Sequence, residues 1–141
     1  SKVKIINTFY KKFLKRKARI GILGLNPHNF SQLAKSEEKI FIKKAIKILK
    51  KSQINVKGPI SSDSSFINFK KFNLNVLVGM YHDQVLTPFK ALYKFNAINV
   101  TLGLPYVRVS PDHGVGEDLV GKNIANCQSL VESIKFFNYI K

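Results

Sequence analysis

Three histidines, His28, His82 and His113, and five carboxylates, Asp63, Asp83, Asp112, Glu117 and Asp118, stand in short stretches rich in Gly, Pro, Ser or His. Imidazole nitrogen and carboxylate oxygen are donors suited to a divalent cation such as zinc, provided the imidazole is neutral. A carboxylate beside a histidine can also fix its tautomer. Two imidazoles with one or two carboxylates would make a metal centre. His28 and His82 are far apart in the chain, however, so only folding can join them. Lys90, Asn99 and Arg108 follow His82. A cation, an amide and a guanidinium around one cleft suit an anionic, phosphorylated substrate. Taken singly, each has a plainer reading as a surface lysine, a turn asparagine, an ion-paired arginine or a hydrogen-bonded loop histidine. Neither G-x-G-x-x-G nor a P-loop occurs, so no standard phosphate cradle is present. The single cysteine, Cys127, allows no internal disulfide and no Cys-cluster metal site. It reads as a small buried residue opening a helix, in a reducing compartment.

The elements that must position these residues follow from pattern. Residues 2–15 predict an amphipathic helix, with Ile6, Phe9 or Tyr10, Phe13 and Leu14 at helical spacing. Ala18–Leu25 reads as a buried strand, broken by Asn26-Pro27-His28. Ser36, Glu37 and Glu38 read as the cap and acidic first turn of a helix reaching Lys51, with Ile40/Phe41, Ala45, Ile48 and Leu49 as its buried stripe. Ile54–Lys57 is a short strand ended by Gly58-Pro59, and Ser61–Ser65 opens a short helix. Asn75–Met80 is a second buried strand with Tyr81-His82-Asp83-Gln84 at its end, followed by a helix over Thr87–Tyr93 with Pro88 in its first turn. Ala97–Leu102 is a third strand, Val107–Val109 a short extended piece, Pro111–Gly116 a loop, and Ser129–Tyr139 a helix. Strands alternating with helices predict an α/β fold on a largely parallel sheet with flanking helices. In such sheets ligands bind beyond the carboxyl ends of the strands, where all three histidines fall.

The 141 residues carry 24 Lys+Arg against 8 Asp+Glu, a formal charge of +16. Only Arg16, Arg19 and Arg108 are arginines, whereas nucleic-acid recognition favours the bidentate Arg fork. Lys43, Lys44, Lys47, Lys50 and Lys51 fall at spacings that wrap the polar side of a helix. The excess therefore reads as a solvated Lys-rich surface, with a basic nucleic-acid-binding module as the rival. A hydrophobic content of 45% with 11% aromatics argues against disorder. No run approaches the roughly 18–20 apolar residues of a membrane span. The start at Ser1-Lys2 shows no signal peptide, so a cytoplasmic location is expected.

One family shares these motifs in order. GLNPH (Gly24–His28), Gly58-Pro59, DSSF (Asp63–Phe66), MYHDQ (Met80–Gln84), NVTLGLP (Asn99–Pro105), RVSPDHG (Arg108–Gly114) and the later DLVGK resemble 4-hydroxythreonine-4-phosphate dehydrogenase, from about Arg19 to the C-terminus. The resemblance implies a fold like that of isocitrate and isopropylmalate dehydrogenases, with two α/β lobes. It also implies a homodimer and an active site in the cleft beside the dimer interface. The implied reaction oxidises 4-phosphooxy-L-threonine with NAD(P)⁺, and the β-keto acid loses CO₂ to give 3-amino-2-oxopropyl phosphate for pyridoxal phosphate synthesis. The implied cation is zinc, magnesium or cobalt.

Carried over by resemblance, His28 and His82 match two of three metal-binding histidines, in a site shared between subunits. Lys90, Asn99 and Arg108 match substrate contacts, with Lys90 also a candidate for proton handling. Asp63 and Asp83 match acids lining the metal site, and form the catalytic set with Lys90. His113, Gly114 and Asp118 match the adenosine-side loop.

The sequence departs from the family in Asn29–Leu33, which reads one residue shorter than the usual glycine-rich loop. It departs also at Ser64, where Thr is usual, and at Val115-Gly116, where Thr-Ala is usual. Family members are roughly twice as long, so 1–141 is expected to be the C-terminal half of a two-lobed subunit, with a lobe boundary near 85–100 and the third histidine upstream. Two other readings remain open at this point: a paralogue acting on another phosphorylated hydroxy acid, and a non-catalytic basic binding fragment.

Overall fold

The computed structural model of the chain describes residues 2–26 and 36–140. His28 and the Asn29–Leu33 departure lie outside the described residues. The fold is α/β, with a parallel sheet, flanking helices and a separate antiparallel pair.

The parallel sheet has the order β2-β1-β3. Its centre is β1 (Ile20–Leu23), whose four residues are all buried, as a strand covered on both faces requires. Ile20 faces Val56 of β2 (Val56–Ile60) on one side and Val76 of β3 (Val76–Val78) on the other. Helix α1 (Lys2–Lys12) adds Val3 to the core, and α2 (Lys43–Lys51) adds Ile46 and Leu49. Tyr10 donates its hydroxyl to the Asn75 carbonyl at 3.1 Å. The Asn75 side chain in turn accepts from the Arg19 N–H at 2.7 Å and donates to the Lys17 carbonyl at 3.0 Å. These bonds fix how the chain enters β1 and β3.

Several sequence expectations are corrected here. The buried stripe of the second helix is Ile42, Ile46 and Leu49, whereas Phe41, Ala45 and Ile48 are exposed. Both sets repeat at i, i+4 and i+7, so periodicity alone could not choose which one faces β2. A π-helical turn over Glu38–Ile42 precedes α2. Ser36 makes no side-chain cap; its carbonyl accepts from Lys39 and Ile40 at 3.0 Å, and its hydroxyl has no partner among the described residues.

Strand β2 does not stop at Gly58-Pro59 but runs through it to Ile60, with the peptide bond cis. Gly58 is required there: φ is +143° and a Cβ would lie 2.4 Å from the Ile22 carbonyl oxygen. Helix α4 (His82–Tyr93) begins five residues earlier than expected, which places Pro88 inside it rather than in its first turn. Cys127 is exposed rather than buried, just before α5 (Gln128–Phe136).

The third expected strand forms β4 (Ile98–Thr101), but it pairs antiparallel with β5 (Arg108–Pro111) outside the parallel sheet. Helix α5 packs on both strands.

Candidate active site at the strand ends

The three parallel strands end together because one hydrogen-bonded chain links their last residues. Gly24, just past β1, donates to the Ile60 carbonyl of β2 at 2.9 Å. The Gly24 carbonyl accepts from the buried Gln84 side chain at 2.7 Å, and Gln84 Oε1 accepts from the Met80 N–H, past β3, at 2.8 Å. The described residues immediately after β1, β2 and β3 therefore gather at one end of the sheet, where open α/β sheets bind ligands.

After β1 come Leu25 and Asn26. The Asn26 N–H donates to Glu38 Oε1 at 2.8 Å. Glu38 is buried, and the backbone N–H groups of Asn26, of Glu38 itself and of Leu25 hold its carboxyl below the usual range, with Lys43 adding a smaller attraction. After β2 comes the single turn α3 (Ser62–Ser65), which carries Asp63; Ser61 Oγ donates to Asp63 Oδ1 at 2.7 Å.

After β3 come His82 and Asp83 in the first turn of α4. His82 Nδ1 lies 2.6 Å from Asp83 Oδ1, with side chains 76% and 78% exposed. Because Nδ1 is occupied by the carboxylate, Nε2 is the nitrogen left to ligate a cation. The pair thus suits a metal ligand, although among the described residues no cluster of three or more His, Cys, Asp or Glu forms.

A second group lies on the antiparallel pair. Asn99 faces Ser110 and Thr101 faces Arg108, so these four share one face of the ribbon. Arg108 Nη1 donates to Thr101 Oγ1 at 2.9 Å, while Asn99 and Arg108 are both exposed. Lys90, two turns along α4 from His82, reaches the residue after β5: its Nζ lies 3.0 Å from Asp112 Oδ2. Asp112 leads directly into His113, whose Nδ1 lies 2.9 Å from the Gly114 carbonyl oxygen. His113, Gly114 and Asp118 are exposed, Asp118 within the short 3₁₀ turn Glu117–Leu119.

The structure thus joins His82 to Asp83, puts Asn99 with Arg108 on one ribbon face, and brings Lys90 to the start of the His113 segment. Gln84, Glu38 and Ser129 were not among the expected site residues. Gln84 had a signal, as the last residue of the MYHDQ motif; Glu38 resembled any acid in a helix first turn.

A family model described as "Pyridoxal phosphate biosynthetic protein PdxA" matches residues 1–137. A protein of Sulfurihydrogenibium sp. (strain YO3AOP1) named 4-hydroxythreonine-4-phosphate dehydrogenase is 44% identical over 143 residues, covering 100% of this chain and 44% of that protein. A relative from Oceanobacillus iheyensis, provisionally named a D-threonate 4-phosphate dehydrogenase, is 37% identical over 118 residues, 82% of this chain and 36% of its own length. The crystal structure of 4-hydroxythreonine-4-phosphate dehydrogenase from Klebsiella pneumoniae superposes with a TM-score of 0.81 at 29% identity, over 97% of this chain and 42% of that one. The chain therefore spans less than half the length of these relatives.

Proposed function

Because the chain belongs to the family of pyridoxal phosphate biosynthetic protein PdxA, we propose that the full-length protein is an NAD(P)- and divalent-metal-dependent dehydrogenase. It oxidises 4-phosphooxy-L-threonine, and the product loses CO₂ to give 3-amino-2-oxopropyl phosphate. The observation that carries this reading is the family match over 1–137, spanning every motif-bearing segment.

Substrate binding falls to Lys90, Asn99 and Arg108. Arg108 and Lys90 present positive charge to the phosphate, the guanidinium through its fork of donors, and Asn99 adds an amide from the same ribbon face as Arg108. His82 and His28 hold the cation, zinc, magnesium or cobalt; the Asp83 carboxylate against His82 Nδ1 supports this by orienting the ring. When bound, the cation would supply a Lewis acid that lowers the hydroxyl pKa, and a nicotinamide would supply the hydride acceptor. Asp63 and Asp83 follow β2 and β3, the strands on either side of β1; they line the metal site and make up the catalytic set with Lys90, the candidate for proton handling. His113, Gly114 and Asp118 face the dinucleotide.

The high exposure of His82 supports a homodimer in which this imidazole reaches a site shared with a second subunit. A cytoplasmic location fits this chemistry, and among the described residues no helix is long and apolar enough to cross a membrane. The five lysines of α2 are all exposed, as a solvated basic surface requires.

Assaying the full-length protein with 4-phosphooxy-L-threonine, NAD⁺ or NADP⁺, and each cation tests the proposal by absorbance of the reduced cofactor. Turnover that disappears with chelator is the expected result. No turnover and no metal-dependent substrate binding would sink it. The Oceanobacillus relative supports a second reading, a different phosphorylated four-carbon hydroxy acid as substrate; relative kcat/KM for the two decides between them.

A further inference from the structure

Lys90 does not extend freely from α4. Besides the ion pair with Asp112 Oδ2 at 3.0 Å, its Nζ donates to the Asp112 backbone carbonyl. A single residue thus meets the ammonium with its side chain and its main chain together. Asp112 is itself braced: its N–H donates to Ser129 Oγ at 2.7 Å. Ser129 is fully buried and donates to the Ala97 carbonyl at 2.5 Å, while Ser133 Oγ donates to the Ser129 carbonyl at 2.8 Å. Helix α5 and Ala97, the residue before β4, therefore hold the residue that holds Lys90. The Lys90 and Asp112 side chains are 36% and 18% exposed, so the pair is only partly screened by water. With 8 acids against 24 basic residues, a carboxylate committed to one lysine is scarce.

We propose that Asp112 is a positioning residue: it presets the Lys90 ammonium to receive the phosphate of a phosphorylated hydroxy acid. Because it immediately precedes His113 and Gly114, it also ties that ammonium to the segment that faces the dinucleotide. The proposal rests on the functional reading above for the identity of the substrate. The physical argument is preorganisation. A lysine loses rotamer freedom when it is fixed, and Asp112 imposes that loss before the ligand arrives.

The test uses the full-length protein. Lys90 is acylated with an amine reagent and its modification read by peptide mass spectrometry, against increasing inorganic phosphate, with Lys94 as the internal control. In wild type, phosphate protects Lys90; in Asp112→Asn the half-protecting concentration rises about tenfold while Lys94 labelling is unchanged. With the phosphorylated substrate, Asp112→Asn raises KM about tenfold and leaves kcat within about twofold; in a Lys90→Met background, read by equilibrium substrate binding rather than turnover, it adds nothing. An unchanged half-protecting concentration overturns the proposal. So does an Asp112→Asn loss of equal size with and without Lys90, because that is the mark of a general structural role. If no phosphorylated hydroxy acid is turned over, yet phosphate protects Lys90 in an Asp112-dependent way, the functional reading fails and the positioning role stands. Should Asp112→Asn not fold, Asp112→Glu keeps the charge, moves it by one methylene, and is read by the same shift.

Discussion

The Gln84 side-chain amide donates to the Gly24 carbonyl at 2.7 Å, across 60 residues of sequence. Its oxygen is occupied by the Met80 N–H at 2.8 Å, so both halves of a buried amide are satisfied by backbone. The segments that follow β1 and β3 are thus held in register by one side chain.

Replacing Gln84 by Leu keeps the volume and removes both bonds. The buried Gly24 carbonyl is then left without this partner, at a cost of about 1–3 kcal/mol, and the part-buried Met80 N–H loses its partner at a smaller cost. Denaturant unfolding of the full-length variant should show a lower midpoint with an unchanged slope. Binding of the divalent cation should weaken as well, because the segments leading to His28 and His82 lose their common anchor.

Glu38 makes stability depend on acid. Backbone N–H groups, that of Asn26 first, hold its carboxyl below the ordinary value of 4.5 in the folded chain. A lowered folded value means that the stabilisation is complete above 4.5 and is lost as pH falls through the folded value. Glu38→Gln should therefore be most destabilised, relative to wild type, at neutral pH, and the gap should narrow below pH 4.5. Thermal melts of both proteins across that range check the sign.

Arg108 is held from one side by Thr101 Oγ1 at 2.9 Å, which leaves the other guanidinium donors to an anion. Arg108→Lys keeps the charge and loses the planar fork. It should raise KM for the phosphorylated substrate about tenfold, and Arg108→Ala by more, with little change in the dinucleotide KM. Steady-state kinetics at fixed cofactor test this. Equal effects on both ligands would remove Arg108 from the substrate face.

At Gly58 a methyl group has no room, since the Ile22 carbonyl oxygen lies 2.4 Å from the built Cβ and φ is +143°. Gly58→Ala should cost about 2 kcal/mol or more, through backbone strain and displacement of β2 from β1. A lowered unfolding midpoint is expected. A neutral result would show that the β1–β2 spacing can relax.

Much of this arrangement was legible in the residues. The apolar run at Ile20–Leu23 announced a central strand, and the ordered motifs announced the family together with the strand ends where its polar groups gather. What stayed hidden was chosen by three-dimensional contact. Two apolar stripes on one helix, Phe41-Ala45-Ile48 and Ile42-Ile46-Leu49, look alike until a sheet takes one of them. Gly58-Pro59 reads as a breaker, but here the strand keeps its course through the pair. Glu38 and Ser129 have ordinary spacing, and only their partners, Asn26 in one case and Ala97 with Asp112 in the other, reveal what they do.

Among the described residues, strand β2 lies at an outside position of its sheet and pairs with β1 alone. Such a margin is normally a template on which a stray strand from another molecule can assemble. Pro59 brings no N–H to that margin. The dipeptide that lies against Ile22 thus also makes this margin a poorer template for sideways growth into aggregates.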